Sequence, residues 1–433
     1  MTNRKTIVIG GGVIGLCAAW RLLERGVETV VIDSAAPGGN NGSRENAGMI
    51  VPSHFVPLAA PGMMAKGLRW LLDRESPFAI RVRPDPALAR WGWLFHRHST
   101  EAHVRSAASL LRDLHFESRR MFVALAEEGE DFGLAKRGLL MLCKSARGLQ
   151  DEEEIARMAD GLDVRAEVLD TDAVARLDPD ITMDVAGGVH YPDDCHLNPA
   201  RLLDRLRERV LRLGGEIRHD AVVDELARDG SGWLREVRGY GFSESGTHFV
   251  IAGGFRSGRL LRSLGLRLPM QPGKGYSLTV PDPPQLPRLC SILTEAKVAV
   301  TPVGGALRFA GTMEIGAGDD RANPARLRGI VRSAGGYFPE IKTACFDGLK
   351  PWVGHRPVTP DGLPYLGRAP RDENLVIATG HAMMGLSLGP VTGDIVASLV
   401  TGTPPVRDVG ALDPARFSRT KAKAKAKAGR AAE

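Results

Sequence analysis

Thr6-Ile7-Val8-Ile9-Gly10-Gly11-Gly12-Val13-Ile14-Gly15 is the stretch that decides the fold. Its four leading residues are mostly β-branched and apolar, and the run breaks at once into Gly-x-Gly-x-x-Gly at Gly10, Gly12 and Gly15. A strand that turns this tightly into a helix needs backbone without Cβ. The helix candidate covers Val13 to Arg25 and stops at Gly26; a second apolar run, Thr29 to Ile32, ends on the acid Asp33. Strand, glycine turn, helix, strand and acid in this order make the βαβ fingerprint of a dinucleotide-binding unit. The pattern places a pyrophosphate against Gly10, Gly12, Val13, Ile14 and Gly15. There, N–H groups without intrahelical partners and the helix dipole favour negative charge. Asp33, with Ser34 beside it, is expected to accept hydrogen bonds from an adenosine ribose, and an acid here without a neighbouring arginine disfavours a 2′-phosphate. The plainer reading, glycines that only allow a strand to pack on a helix, leaves the ordered strand, helix and acid unexplained.

Outward from this unit, the bulk properties narrow the class. At 433 residues the chain is long for one core, so two intertwined domains are expected. The net charge of +6 suggests nucleic acid until the tail is set aside. Lys421, Lys423, Lys425, Lys427 and Arg430 against Glu433 carry most of that charge, and the body is close to neutral. The Lys-Ala tail, residues 421–433, reads as a disordered, solvated segment, with loose contact to a membrane surface as its other reading; no nucleic-acid partner is expected. Cys17, Cys143, Cys195, Cys290 and Cys345 are scattered and odd in number, without Cys-x-x-Cys spacing. Neither zinc nor a disulfide framework is supported, and a reducing, cytoplasmic setting fits. His96 and His98 lie two apart, on different faces of a helix, so no metal site is assigned. The first residues lack a signal-like pattern and no uncharged apolar run approaches membrane-spanning length. Any membrane contact is therefore expected to be peripheral, at the inner face.

Further along, Ser34 to Ser43 and then Arg44 to Ile50 form a loop past the second strand, at the sheet edge where open α/β folds bind ligands. Asn46, Ala47 and Gly48 are its cofactor-lining candidates. Val51 to Pro86 is rich in proline, aromatic and methionine residues, including Trp70, and leads through Trp91 and Trp93 into a helical stretch ending near Glu127. Gly138 to Cys143 and Gly187 to Tyr191 are strand candidates on either side of an acidic helix beginning near Asp151. Asn198 caps a helix with Pro199 at its first position and Leu202, Leu203, Leu206, Val210 and Leu211 on one apolar face. Glu216 to Val223 then returns to the cofactor sheet. A strand ending at Gly253-Gly254 belongs beside the first one. Gln271 to Val280, Val298 to Val300 and Leu307 to Ala310 alternate as strands with few helices, which points to an antiparallel sheet. Asn374 to His381 repeats the strand-to-glycine pattern and Gly389 to Val400 reads as a helix whose start offers a second positive dipole end. The expected class is α/β. A Rossmann-like cofactor domain is assembled from both chain ends (1–50, 190–265 and 350–420). An α+β substrate domain (51–189 and 266–349) is built on the antiparallel sheet.

Four further runs carry a family likeness: Asn46-Ala47-Gly48 followed by Ala59-Ala60-Pro61-Gly62; Lys274-Gly275-Tyr276-Ser277-Leu278-Thr279; Arg356-Pro357-Val358-Thr359-Pro360-Asp361-Gly362; and Thr379-Gly380-His381. With the opening fingerprint, they make the chain resemble the glycine-oxidase and D-amino-acid oxidase superfamily of flavoproteins, and more closely the bacterial D-amino-acid dehydrogenases. The resemblance implies non-covalent FAD at the boundary of the two domains, with Val223, Gly253, Gly380, His381 and Gly385 added to the residues that hold it. It also implies oxidative deamination of a D-amino acid, by hydride transfer from Cα to flavin N5, to an imino acid and then a 2-oxo acid and ammonia. A cyclic substrate such as D-proline or hydroxy-D-proline is the near alternative, and a non-catalytic dinucleotide-binding sensor is the alternative of another class. The electron acceptor, a quinone, another carrier or oxygen, stays open. Arg356 matches the arginine that holds the substrate carboxylate; the other reading is a salt bridge at a domain seam. Tyr276 is a pocket or core tyrosine on the same reading, and His54 lies in the substrate-loop region. His355 departs from the family pattern and, one residue from Arg356 on an extended segment, is expected to point to the other face.

Overall fold

The computed structural model describes residues 4–39, 42–64, 67, 73, 75–81 and 83–418. Trp70 and the 421–433 tail lie outside the described residues. The opening unit forms where the sequence places it, as strand Lys5–Ile9, helix Val13–Glu24 and strand Glu28–Ile32. Gly26 ends the helix at φ +72, a backbone region that a side chain would disfavour. The two strands run parallel, and His248–Ile251 lies parallel on the other side of the first. The full order of this six-stranded sheet is Tyr365–Arg368, Leu375–Thr379, His248–Ile251, Lys5–Ile9, Glu28–Ile32, Glu216–Arg218. Only Tyr365–Arg368 is antiparallel to its neighbour. Strands from three distant parts of the chain thus share one sheet, and its apolar residues are buried on both faces, as a parallel sheet under helices requires. Helix Gly389–Thr401 packs directly on helix Val13–Glu24, because Gly389 and Gly393 leave no Cβ where Val13 and the Cys17 backbone come close.

The second sheet has nine strands, in the order Trp352–Val358, Gln271–Val280, Ala306–Ile315, Val298–Val303, Cys290–Leu293, Leu139–Cys143, Gly187–Tyr191, Glu167–Leu169, with Phe78–Ile80 paired to Ala306–Ile315. Its pairings are antiparallel except between Cys290–Leu293 and Leu139–Cys143 and between Phe78–Ile80 and Ala306–Ile315. Trp352–Val358 corrects the expected boundary at residue 350, for it pairs along Gln271–Ser277 as the edge of this sheet, and the chain rejoins the first sheet only afterwards. One face is closed by helix Pro324–Tyr337, whose Ile330 and Ala334 join Leu278 and Phe309 in one buried cluster.

Two local expectations shift. The acidic helix runs Ala146–Asp160, starting earlier than Asp151 because the Ser145 hydroxyl accepts from Gly148 N and caps it. In helix Pro199–Arg212, Asn198 does cap, accepting from Ala200 N and Arg201 N, and Leu202, Leu203, Leu206 and Val210 are buried. Leu211, however, is 55% exposed, since it lies two turns from Asp204 on the helix's solvent side. No helix among the described residues is long and apolar enough to cross a membrane.

Candidate active site

A cavity of about 1110 Å³ runs from the glycine turn of the first sheet to the Trp352–Val358 edge of the second. Pockets for a single small ligand are typically about 300–1,000 Å³, so this one has room for a dinucleotide with a small molecule at its end. Gly10, Gly12, Val13, Ile14, Asp33, Ser34, Asn46, Ala47, Val223, Gly253, His381 and Gly385 all line it, as do Arg356, Tyr276 and His54. Gly15, Gly48 and Gly380 do not.

At the dinucleotide end the turn is closed by absent side chains. Gly10 sits at φ +112, where a Cβ would come within 2.6 Å of Ala252 O, and a Cβ at Gly11 would meet Asp33 Oδ2 at 2.5 Å. Gly15 lies behind this wall: its Cβ would collide with the Gly10 carbonyl oxygen, so it sets how closely helix approaches strand. Gly48, at φ +78 against Leu197 O, and Gly380, at φ +81 against Thr359, shape the wall in the same indirect way. The first helical turn contains no acid, so no carboxylate within that turn offsets its dipole end. The Ser43 hydroxyl accepts from Val13 N at 3.2 Å, a contact with no sequence signal beyond its place in a polar loop. Asp33 is buried, with Oδ1 accepting from Ala35 N at 3.3 Å. The helix that starts at Gly389 is a correction: its start packs on Val13 and Cys17, and the cavity wall reaches only to Leu386.

The middle of the cavity is set by residues that carry no motif. Arg308, on the Ala306–Ile315 strand, donates from Nη1 to Asn46 O at 2.9 Å, and Thr301 Oγ1 donates to Ala47 O at 2.6 Å. The second sheet thereby holds the loop that extends from the first. The Asn46 side chain accepts from Gly48 N at 2.9 Å, closing the turn. His381 is buried, with Nε2 3.1 Å from Thr392 Oγ1, and burial pushes its pKa down to about 3, so the ring is neutral.

At the far end Arg356 lies over Gly275, the one position on the facing strand where a Cβ would strike the guanidinium. Its Nη1 donates to Thr312 O at 2.8 Å. Burial pulls its pKa down to about 10, still charged at neutral pH, and among the described residues no carboxylate pairs with it. The salt-bridge reading of Arg356 thus has no partner among these residues. His355, one residue away, instead engages Asp320 Oδ1 at 2.9 Å and lies against Phe255 in a tilted arrangement, ring centroids 4.8 Å apart. Tyr276 packs in the core of the second sheet and its hydroxyl is donated to Glu314, so only part of it reaches the cavity. His54 faces the cavity near Lys297, with Met49, Met141 and Ile292 giving the apolar lining.

These features fit FAD. The glycine cradle is one that a Cβ would fill, an acid stands at the end of the second strand, and the cavity continues to Arg356, a cation without a carboxylate partner among the described residues. Asp33→Ala should therefore weaken FAD retention roughly tenfold, the loss of about 1.5 kcal/mol for a hydrogen bond to a charged group. Flavin content after dilution and gel filtration measures this, with thermal stability unchanged.

Comparison with known proteins agrees. The family model described as FAD dependent oxidoreductase matches residues 5–399. A protein named D-amino acid dehydrogenase from Rhizorhabdus wittichii is 32% identical over 421 residues, covering 94% of this chain and 99% of that protein. Another of the same name, from Paramagnetospirillum magneticum, is 33% identical over 424 residues, covering 96% and 99%. Among solved structures, glycine oxidase from Geobacillus kaustophilus superposes with a TM-score of 0.76 at 23% identity, covering 96% of this chain and 99% of that one, which supports the fold. An intact glycine turn, a second-strand acid and a match along nearly the whole chain lead to one conclusion: this protein belongs to the DAO family of FAD-dependent oxidoreductases.

Proposed function

We propose that the chain oxidises the Cα–N bond of a D-amino acid, giving an imino acid that water hydrolyses to a 2-oxo acid and ammonia. The observation that carries this reading is Arg356, a half-buried cation on the cavity wall with no carboxylate partner among the described residues. A desolvated guanidinium is costly unless something anionic meets it, and its planar fork suits a carboxylate held by two parallel hydrogen bonds. The bond to Thr312 O fixes the arginine before the substrate arrives. Met49, Met141 and Ile292 add apolar lining to the same cavity, which disfavours water there. When bound, FAD supplies the acceptor for the hydride that leaves Cα. What the protein contributes is alignment, which for well-oriented reactants is worth roughly 7–11 kcal/mol of barrier.

In this reading Gly10, Gly12, Val13 and Ile14 hold the pyrophosphate, Asp33 the ribose, and Asn46, Ala47, His381 and Gly385 the rest of the cofactor. The D-configuration rests on the names of the relatives. A panel of D-amino acids, their L-enantiomers and cyclic imino acids with an artificial electron acceptor tests the proposal. Turnover of D-amino acids is expected; turnover of cyclic imino acids alone would narrow the substrate to that class, and no turnover of either would overturn it.

A further inference from the structure

His54 lines the cavity with one ring nitrogen turned toward the core. Its Nδ1 lies 3.1 Å from Ser53 Oγ, and Ser53 Oγ donates to Asp194 Oδ2 at 2.6 Å while Ser53 N donates to Asp194 Oδ1 at 3.1 Å. Asp194 is completely buried and has no ion-pair partner among the described residues. With its hydroxyl proton spent on the carboxylate, Ser53 can only accept from His54 Nδ1–H. Nε2 then keeps its lone pair, on the side of the ring for which no protein partner is found among the described residues. Resting on the amino-acid reading above, we propose that His54, Ser53 and Asp194 form a proton relay that takes one proton from the substrate's ammonium group.

The step balances without any redox partner. The ammonium N–H bond breaks as Nε2–H forms on His54; Nδ1–H breaks as a new O–H forms on Ser53; and the original Ser53 O–H breaks as Asp194 Oδ2 gains the proton. The amine is left with the lone pair that must assist departure of hydride from Cα. After product leaves, the reverse sequence returns the proton to water entering the cavity.

Both ends of the relay are tuned for this division of work. Burial and the Lys297 ammonium of the neighbouring hairpin push the His54 pKa down to about 4, with neutral His115 the other titratable neighbour. His54 is thus a poor store for a proton. Burial pushes Asp194 up to about 7 against the two hydrogen bonds from Ser53, with Asp193 raising it further and Arg119 opposing; Tyr191, Cys195 and Cys290 also face it, un-ionised. The carboxylate is therefore the better acceptor of the two, and its raised pKa suits an acid–base group working near neutral pH. Below that pH, Asp194 holds a proton and donates to Ser53, the chain of hydrogen bonds reverses, and Nε2 carries hydrogen. The lone pair facing the substrate is withdrawn.

The test measures kcat/KM from pH 6 to 10.5 for the FAD-loaded enzyme and its Asp194→Asn, Ser53→Ala and Ser53→Thr variants, with D-alanine as probe. Asp194→Asn and Ser53→Ala should lose tenfold or more at pH 7.5 and converge on the parent protein above pH 10, where the ammonium loses its proton unaided; Ser53→Thr, which keeps the hydroxyl, should recover a large part of the Ser53→Ala loss. In ¹⁵N-histidine NMR, His54 should exchange its Nδ1–H tautomer for Nε2–H as pH falls through about 7, and Asp194→Asn should abolish that exchange. Undiminished activity at pH 7.5, or a deficit equal at every pH, would overturn the relay. Should Asp194→Asn fail to fold, the Ser53 pair decides. Should D-alanine not react at any pH, the substrate reading is at fault, and the NMR tautomer exchange, present or absent, still decides the relay.

Discussion

Arg356→Leu is expected to lower kcat/KM for a D-amino acid by roughly 30- to 4,000-fold, the 2–5 kcal/mol typical of removing one partner of a buried, hydrogen-bonded charge pair. Two effects add. The carboxylate loses a bidentate partner, which raises KM, and Cα–H is no longer held against the acceptor, which lowers kcat. Leucine also removes the donor to Thr312 O, leaving a carbonyl that the cavity can still hydrate. Because the cation has no counter-ion among the described residues, its removal leaves no orphaned carboxylate there, and thermal stability should not fall. Arg356→Lys should recover only part of the loss, since an ammonium cannot reproduce the fork. Steady-state kinetics with flavin content measured in parallel check this; unchanged kcat/KM would remove Arg356 from the site.

A second large effect separates packing from binding within the glycine turn. Gly15→Ala puts a methyl into the Gly10 carbonyl, a backbone atom that cannot swing aside, so helix and strand must part. Overpacking of this kind costs about 1–3 kcal/mol, and more where the neighbour cannot move. The variant should melt several degrees lower and purify without flavin. Gly12→Ala differs, because its Cβ would meet only the Ser43 hydroxyl, at 3.4 Å. That variant should match the parent's flavin-free melting temperature yet lose FAD, since the methyl stands where a pyrophosphate approaches. Equal melting temperatures for the two flavin-free variants would contradict the division of labour.

How much of this was legible beforehand follows from the range of each signal. The βαβ unit is local: strand period, glycine spacing and terminal acid lie within one short stretch, and the structure forms them there. Asn198 was equally readable, because an N-cap acts within three residues. Leu211 falls outside the apolar face because its angle on the helix sets it opposite Leu202. The Trp352–Val358 strand joined the second sheet because pairing is decided by what lies across the ladder, not by the chain's own next turn. Arg308, Thr301 and Asp194 escaped notice for the same reason. Each is an ordinary residue in its own stretch and acts on a loop 141 to 262 positions away. Tyr276 shows the converse: a motif residue whose hydroxyl is spent on Glu314 in the fold.

The central claim is that the cavity joins bound FAD to a carboxylate-binding pocket for a D-amino acid. Anaerobic addition of D-amino acids to the purified yellow protein, with the visible flavin band as readout, tests it most directly. The account predicts that the band bleaches with a D-amino acid and persists with the L-enantiomer at the same concentration. A band that survives every D-amino acid, or that bleaches equally with both enantiomers, would contradict it.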